Sequence, residues 1–242
     1  MKFKKIENAW ETLLNMLFPR RCPVCDRIVS VSGLRVCPEC RKEFRRLREP
    51  LCRKCGKALW DETQEYCDDC RKRKHYFDEG AALYEYASVR ESIFRFKYMG
   101  RQEYKEYYAE EVCKYLGGKL REWNADALVP VPVHKSRLNS RGYNQAQLLA
   151  DEIGKRLQIP VLSDYIVRIR KTVPQKALNL SERQNNLKKA FKIGRNDVKL
   201  KTIIIVDDIY TTGSTMDEIA GLCRRAGVEK VCFVVLAIGN GL

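Results

Sequence analysis

The sequence predicts an α/β fold, a parallel sheet with flanking helices, preceded by a small cysteine-rich module. Three observations predict it. Ile203-Ile204-Ile205-Val206 is an unbroken β-branched run, the mark of a strand buried on both faces, as parallel sheets require. Ala127-Leu128-Val129-Pro130-Val131-Pro132-Val133 is a second apolar run, confined at its end by prolines. Residues 22–70 hold four Cys-x-x-Cys pairs that begin at 22, 37, 52 and 67, a repeat of 15 residues.

In chain order, Ile6, Trp10, Leu13, Leu14, Leu17 and Phe18 recur at helical spacing, so residues 1–20 are expected to form an amphipathic helix. Glu7, Asn8, Glu11 and Asn15 break any signal-peptide core, and no apolar run is long enough to span a bilayer. The chain is read as cytoplasmic with no transmembrane segment. The lysine-bearing helix suits the inner face of a membrane, the next module or a partner.

The cysteine pairs lie in a module expected to cover residues 21–76. Pro23 and Pro38 sit inside the first two pairs and Gly56 follows the third, which suits tight metal-binding knuckles. Zinc takes four thiolates in a tetrahedron, so eight cysteines predict two structural Zn²⁺ sites. Neighbouring pairs would give Cys22, Cys25, Cys37 and Cys40 in one ribbon, and Cys52, Cys55, Cys67 and Cys70 in the next. An interleaved arrangement stays open. Disulfides suit a reducing compartment poorly. A module this small has little core, so metal supplies its folding energy. His75 is expected to be a surface histidine rather than a ligand. Arg41, Lys42, Arg45, Arg46, Arg48, Arg53, Lys54 and the Arg71–Lys74 run make the module basic, as nucleic-acid-binding ribbons and plain solvated faces both are.

Residues 77–242 are expected to form the sheet domain. Ala81 to Tyr86 reads as a strand, then a helix runs to Gly100 and another covers 101–120. Tyr84, Tyr86, Tyr98, Tyr104, Tyr107 and Tyr108 interleave with basic residues; core packing and base stacking are both open readings. After the second apolar run come His134, Lys135, Arg137, Arg141 and Gly142, a basic loop suited to a diphosphate, and then a helix through Leu157. Val161 to Ile169 reads as a strand, residues 171–180 as a polar loop with Ser181 as a following N-cap, and Val231 to Ile238 as the last strand. Cys113, Cys223 and Cys232 have no partner at metal spacing and read as core.

The chemistry gathers where Ile203–Val206 ends. Asp207-Asp208 follow it, then Thr211, Thr212, Gly213, Ser214 and Thr215 lead into a helix that Gly227 can close. Ligands of open α/β sheets bind beyond the carboxyl ends of strands. Backbone N–H groups and a helix dipole suit a phosphate monoester, while two carboxylates match vicinal sugar hydroxyls, directly or through Mg²⁺-bound water. A sugar 5′-phosphate satisfies both.

The stretch Ile203–Thr215 closely resembles the phosphoribosyl-pyrophosphate (PRPP) motif of type I phosphoribosyltransferases. With the cysteine pairs, and with Phe96-Lys97-Tyr98-x-Gly100, Val129-Pro130-Val131-Pro132, Arg141-Gly142-Tyr143-Asn144-Gln145-Ala146 and Gln175-x-x-Leu178, the whole chain resembles the ComF family of late-competence proteins. The resemblance implies a type I phosphoribosyltransferase-like sheet and PRPP held with Mg²⁺ by Asp207, Asp208, Thr211, Thr212, Gly213, Ser214, Thr215, Lys97, Arg137 and Arg141. Asp207, Asp208, Arg141 and Lys135 would serve any transfer reaction. It also implies a role in uptake of single-stranded DNA, with a DNA-uptake helicase as a partner. Thr211 stands where purine salvage enzymes carry an acid, which argues against a 6-oxopurine acceptor. Other readings are an active phosphoribosyltransferase of nucleobase metabolism and a nucleic-acid-binding protein with a vestigial pocket. The net charge of +15, from 46 basic and 31 acidic residues, favours polyanionic partners in each case.

Overall fold

The computed structural model of the chain describes residues 19–29, 34–170, 190–195 and 197–239. The expected N-terminal helix, and the loop and N-cap of 171–181, lie outside them. The sheet has four strands: β1 (Glu79–Glu85), β2 (Ala127–Pro130), β5 (Thr202–Tyr210) and β6 (Lys230–Ile238), in the order β1-β6-β5-β2 with every pairing parallel. In register, Ala127 meets Ile203 and Val129 meets Ile205, so the two apolar runs lie side by side.

Helices cover both faces, which is why the strands are apolar on both sides. On one face α2 (Tyr86–Tyr98), α3 (Tyr104–Glu122) and α5 (Gln145–Leu157) bury Val89, Phe96, Tyr108, Val112 and Ile153 against Ile204, Val206 and Val234. On the other, α6 (Ser214–Arg225) buries Met216 and Ile219 against Ile203, Ile205 and Phe233. Each side chain packed away in this manner contributes about 1.5–3 kcal/mol.

The two cysteine ribbons take opposite faces. The first joins the α2/α3 side: Asp26 accepts hydrogen bonds from Arg101 Nε and Nη2 (2.8 and 2.9 Å) and from the Tyr104 hydroxyl (2.6 Å), and Arg95 donates to the carbonyls of Pro23 and Val24. The second, which contains the short helix α1 (Asp68–Lys72), joins the α6 side. Its knuckle rests on β1 at Gly56, whose φ is +75°; a Cβ there would lie 2.9 Å from the Gly80 carbonyl oxygen. The connecting residues 45–47 run antiparallel along β1, with Leu47 N–H bonded to Leu83 and Glu85 N–H to Arg45, and so close an otherwise open sheet edge.

Three expectations change. The 161–169 stretch is not one strand of the main sheet. Val161 makes a single parallel bridge to Leu128. The chain then turns away, and β3 (Ile166–Arg168) pairs antiparallel with β4 (Phe191–Ile193) in a separate hairpin. The 127–133 strand stops at Pro130, since a second proline cannot donate to a ladder. The basic loop beyond it holds a short helix, α4 (Lys135–Arg141), capped by the His134 ring and closed by Gly142 at φ +79°. Among the tyrosines, Tyr84, Tyr104, Tyr107 and Tyr108 are core, while Tyr98 is 58% exposed.

Candidate functional site

The carboxyl ends of β2 and β5 lie side by side, and the turns and helices just beyond them carry most of the residues suited to phosphate or sugar chemistry. Lys97 joins them from the end of α2. Successive side chains of a strand point to opposite faces. Asp208 meets α2, where Lys97 Nζ lies 2.7 Å from its Oδ1, both side chains being mostly buried. Asp207 accepts the Asp208 backbone N–H at 2.9 Å. Its enclosure, followed by the adjacent Asp208 carboxylate, pushes its pKa up to about 7; Lys97 and Arg168 pull the other way. The pair therefore holds one carboxylate already matched to a cation and one that gains from any cation brought to it.

Beyond Tyr210 the chain turns through Gly213, at φ +77°, into α6. A Cβ at Gly213 would sit 2.6 Å from the Tyr210 hydroxyl, so only glycine brings the backbone this close. Residues 209–211 and 213–216 line a small cup at the mouth of this helix. The first N–H groups of a helix have no partner within it. The Thr212 and Ser214 hydroxyls lie 3.0 Å apart beside them. An anion placed here meets backbone donors, hydroxyls and the positive end of α6 together.

The basic residues flank the acids. Arg141 donates to Gln145 Oε1 (3.1 Å) and its guanidinium lies 4.4 Å from the Tyr98 ring centre. Two of the sequence motifs brace each other: the Tyr143 hydroxyl donates to the Phe96 carbonyl (2.5 Å) and Gln145 Nε2 to the Lys97 carbonyl (3.3 Å). Asn144 ties the same turn to the Val131 carbonyl at 3.0 Å. These bonds fix the end of α2 and so aim Lys97 at Asp208. Lys135 is exposed on α4, and Arg137 is half-buried on the same helix. Sequence reasoning missed Arg168. It closes β3 beside Asp207 and Arg137, with its guanidinium 5.3 Å from the Phe191 ring centre. Burial, then the Arg137 charge, lowers its pKa to about 10. Nothing in sequence marks it, because its place depends on the hairpin leaving the main sheet.

The eight ribbon cysteines form two quartets, Cys22, Cys25, Cys37, Cys40 and Cys52, Cys55, Cys67, Cys70, with ligand atoms all within 4.8 Å of one another. The pairing is sequential, not interleaved. Sulfur separations of 3.8 Å (Cys25–Cys37) and 3.7 Å (Cys55–Cys67) match the roughly 3.8 Å edge of a tetrahedron with Zn–S bonds of about 2.3 Å. Both quartets thus fit zinc, with no open coordination position. His75 is not a surface residue: its ring is buried, stacked on Phe77 at 4.6 Å, and Nδ1 lies 2.8 Å from Asp217 Oδ2. Asp217 sits in the first turn of α6 and also accepts the Tyr76 N–H (3.0 Å), so the end of the second ribbon is fastened to the helix that forms the cup.

Residues 13–71 match the double zinc ribbon domain and residues 109–241 the phosphoribosyl transferase domain. Competence protein F of Haemophilus influenzae is 30% identical over 220 residues, which cover 88% of this chain and 95% of that protein. The chain belongs to the ComF family. Other relatives of this ComF chain include DNA utilization protein YhgH of Salmonella typhi, 29% identical over 88% of this chain and 94% of that one. Competence protein ComFC of Bacillus subtilis is 26% identical over 75% of each. No helix of the described residues is long and apolar enough to cross a membrane.

Proposed function

We propose that this ComF protein binds PRPP with Mg²⁺ and acts in the cytoplasm to bring single-stranded DNA into the cell during natural transformation. The observation that carries the reading is one juxtaposition: Asp207 and Asp208 end β5 next to a glycine-turned helix mouth, in a chain 30% identical to Competence protein F. The 5′-phosphate would rest on Thr211, Thr212, Gly213, Ser214 and Thr215. The ribose hydroxyls would face Asp207 and Asp208, and the diphosphate would meet Lys97, Lys135, Arg137 and Arg141. Bound Mg²⁺ would neutralise the diphosphate and favour the ionised form of Asp207. The working parts would be a double zinc ribbon (21–76) and a phosphoribosyl-binding domain (77–242), with residues 1–20 ahead of them. The ribbons, with closed coordination shells, would serve structure and docking. A DNA-uptake helicase, at the inner face of the membrane, is the partner this role calls for.

The test is Mg²⁺-dependent stabilisation by PRPP. A ligand at about 100 times its Kd adds about 2.7 kcal/mol, roughly 5–10 °C in Tm for a chain of this size. The double variant Asp207→Ala, Asp208→Ala should lose the shift. No shift in the wild-type protein at saturating PRPP defeats the proposal. The second reading, an active phosphoribosyltransferase, rests on the same intact motif. Release of pyrophosphate across a panel of bases and amines separates the two.

A further inference from the structure

A second concavity of the described structure shares no residue with the PRPP cup. It has a volume of about 960 Å³ and lies along β1, at the edge of the sheet opposite β2, between the ribbon connector and α3. Its rim carries Arg41, Lys42, Arg45, Arg46 and Arg48, all exposed, against the carboxylates of Glu49 and Glu85. Both acids are engaged: Glu49 accepts the Leu51 N–H at 2.9 Å, and Glu85 pairs with Arg45 at 3.2 Å. Phe44, Leu47, Leu83 and Leu116 contribute an apolar floor. Tyr115 stands in the wall, 42% exposed, with the Arg46 guanidinium 3.9 Å from its ring centre.

We propose that this groove seats a single-stranded polynucleotide, with phosphates on the arginine rim and unpaired bases against Tyr115 and the apolar floor. The inference rests on the DNA-handling reading above and gives it a place on the molecule. A cationic rim alone would suit any polyanion. A cationic rim around an apolar floor and an aromatic ring suits a strand whose bases are free to leave water, whereas a duplex keeps its bases stacked inside. Residues 1–18 of this chain are a poor occupant, because Lys2, Lys4 and Lys5 outnumber Glu7 and Glu11 and would meet a rim of the same sign.

The experiment measures anisotropy of a labelled oligothymidylate with the full-length, zinc-loaded chain over a range of salt. Wild type should bind with a steep salt dependence. Arg41→Ala with Arg48→Ala should weaken binding at least tenfold at about 0.1 M salt and flatten the log–log salt slope by about 1.4, from two phosphate contacts at about 0.7 each. Tyr115→Ala should weaken binding roughly tenfold through lost stacking. All variants should keep their Tm and their PRPP-dependent shift. Undiminished binding by these variants overturns the groove while leaving the DNA reading intact; absence of wild-type binding overturns both. Equal binding of duplex, equal competition by polyglutamate, preference for anionic vesicles, or loss of the PRPP shift along with DNA binding would each overturn the groove as a single-strand site.

Discussion

Replacing Asp207 by asparagine removes a charge that the folded chain tolerates badly. The Asp207 pKa rises from 3.8 to about 7 on folding, because packing around the carboxyl removes part of its hydration and the Asp208 charge lies next to it along the strand. The native state therefore binds more protons than the unfolded chain between about pH 4 and pH 7. This contribution to stability is fully present below the unfolded pKa and is lost as pH rises through 7. Asparagine has no such dependence, so the variant should gain on wild type as pH rises. Each pH unit inside the window is about 1.36 kcal/mol. From pH 5.5 to the upper limit near 7 the gap should widen by about 2 kcal/mol, and it should stay level from 7 to 8. Urea unfolding of both proteins at pH 5.5, 7 and 8, with zinc held constant and no PRPP, reads this directly. The same variant should show no Mg²⁺-dependent PRPP stabilisation. A gap that does not change with pH, or that narrows, would refute the argument that partial burial beside a like charge disfavours this anion. A stabilising substitution that removes binding is the usual sign of a site strained for its ligand.

Three further outcomes are expected from the geometry. Lys97→Met leaves Asp208 mostly buried without its 2.7 Å partner and should lower stability by about 3 kcal/mol at pH 8 in urea unfolding, with a weaker PRPP shift; an unchanged midpoint would mean the pair does not form in solution. Gly213→Ala forces a side chain into a left-handed turn 2.6 Å from the Tyr210 hydroxyl, so about 1–3 kcal/mol of stability and the PRPP shift should both be lost in thermal melts. A chelator with a colorimetric zinc readout should release two zinc ions in two phases. The first ribbon should go first, because two of its cysteines, Cys25 and Cys37, are half-buried, whereas in the second only Cys70 is and Cys52, Cys55 and Cys67 lie in the core shared with α6; simultaneous release would contradict that difference.

Local features of the sequence determined a good deal of this protein. Four β-branched residues before two aspartates specify a buried strand with acids at its carboxyl end, whatever surrounds it. Cys-x-x-Cys spacing specifies four-thiolate sites, because the chemistry of the ligands is carried by cysteines only three positions apart. Gly213 and Gly227 were legible for a similar reason: a left-handed turn leaves few other choices. What only the tertiary structure decided concerns pairs distant in the chain. The sequence left the zinc pairing open, and the fold settles it by bringing Cys25 to Cys37 and Cys55 to Cys67. His75 looked like a surface residue until the ribbon exit met Asp217, 142 residues away. Arg168 became part of the acid site because its hairpin leaves the main sheet, and the Arg41–Arg48 rim became a groove because α3 stands across from it. Such facts escape sequence because a residue's neighbours across a parallel sheet are set by how long crossovers return, not by its own propensity.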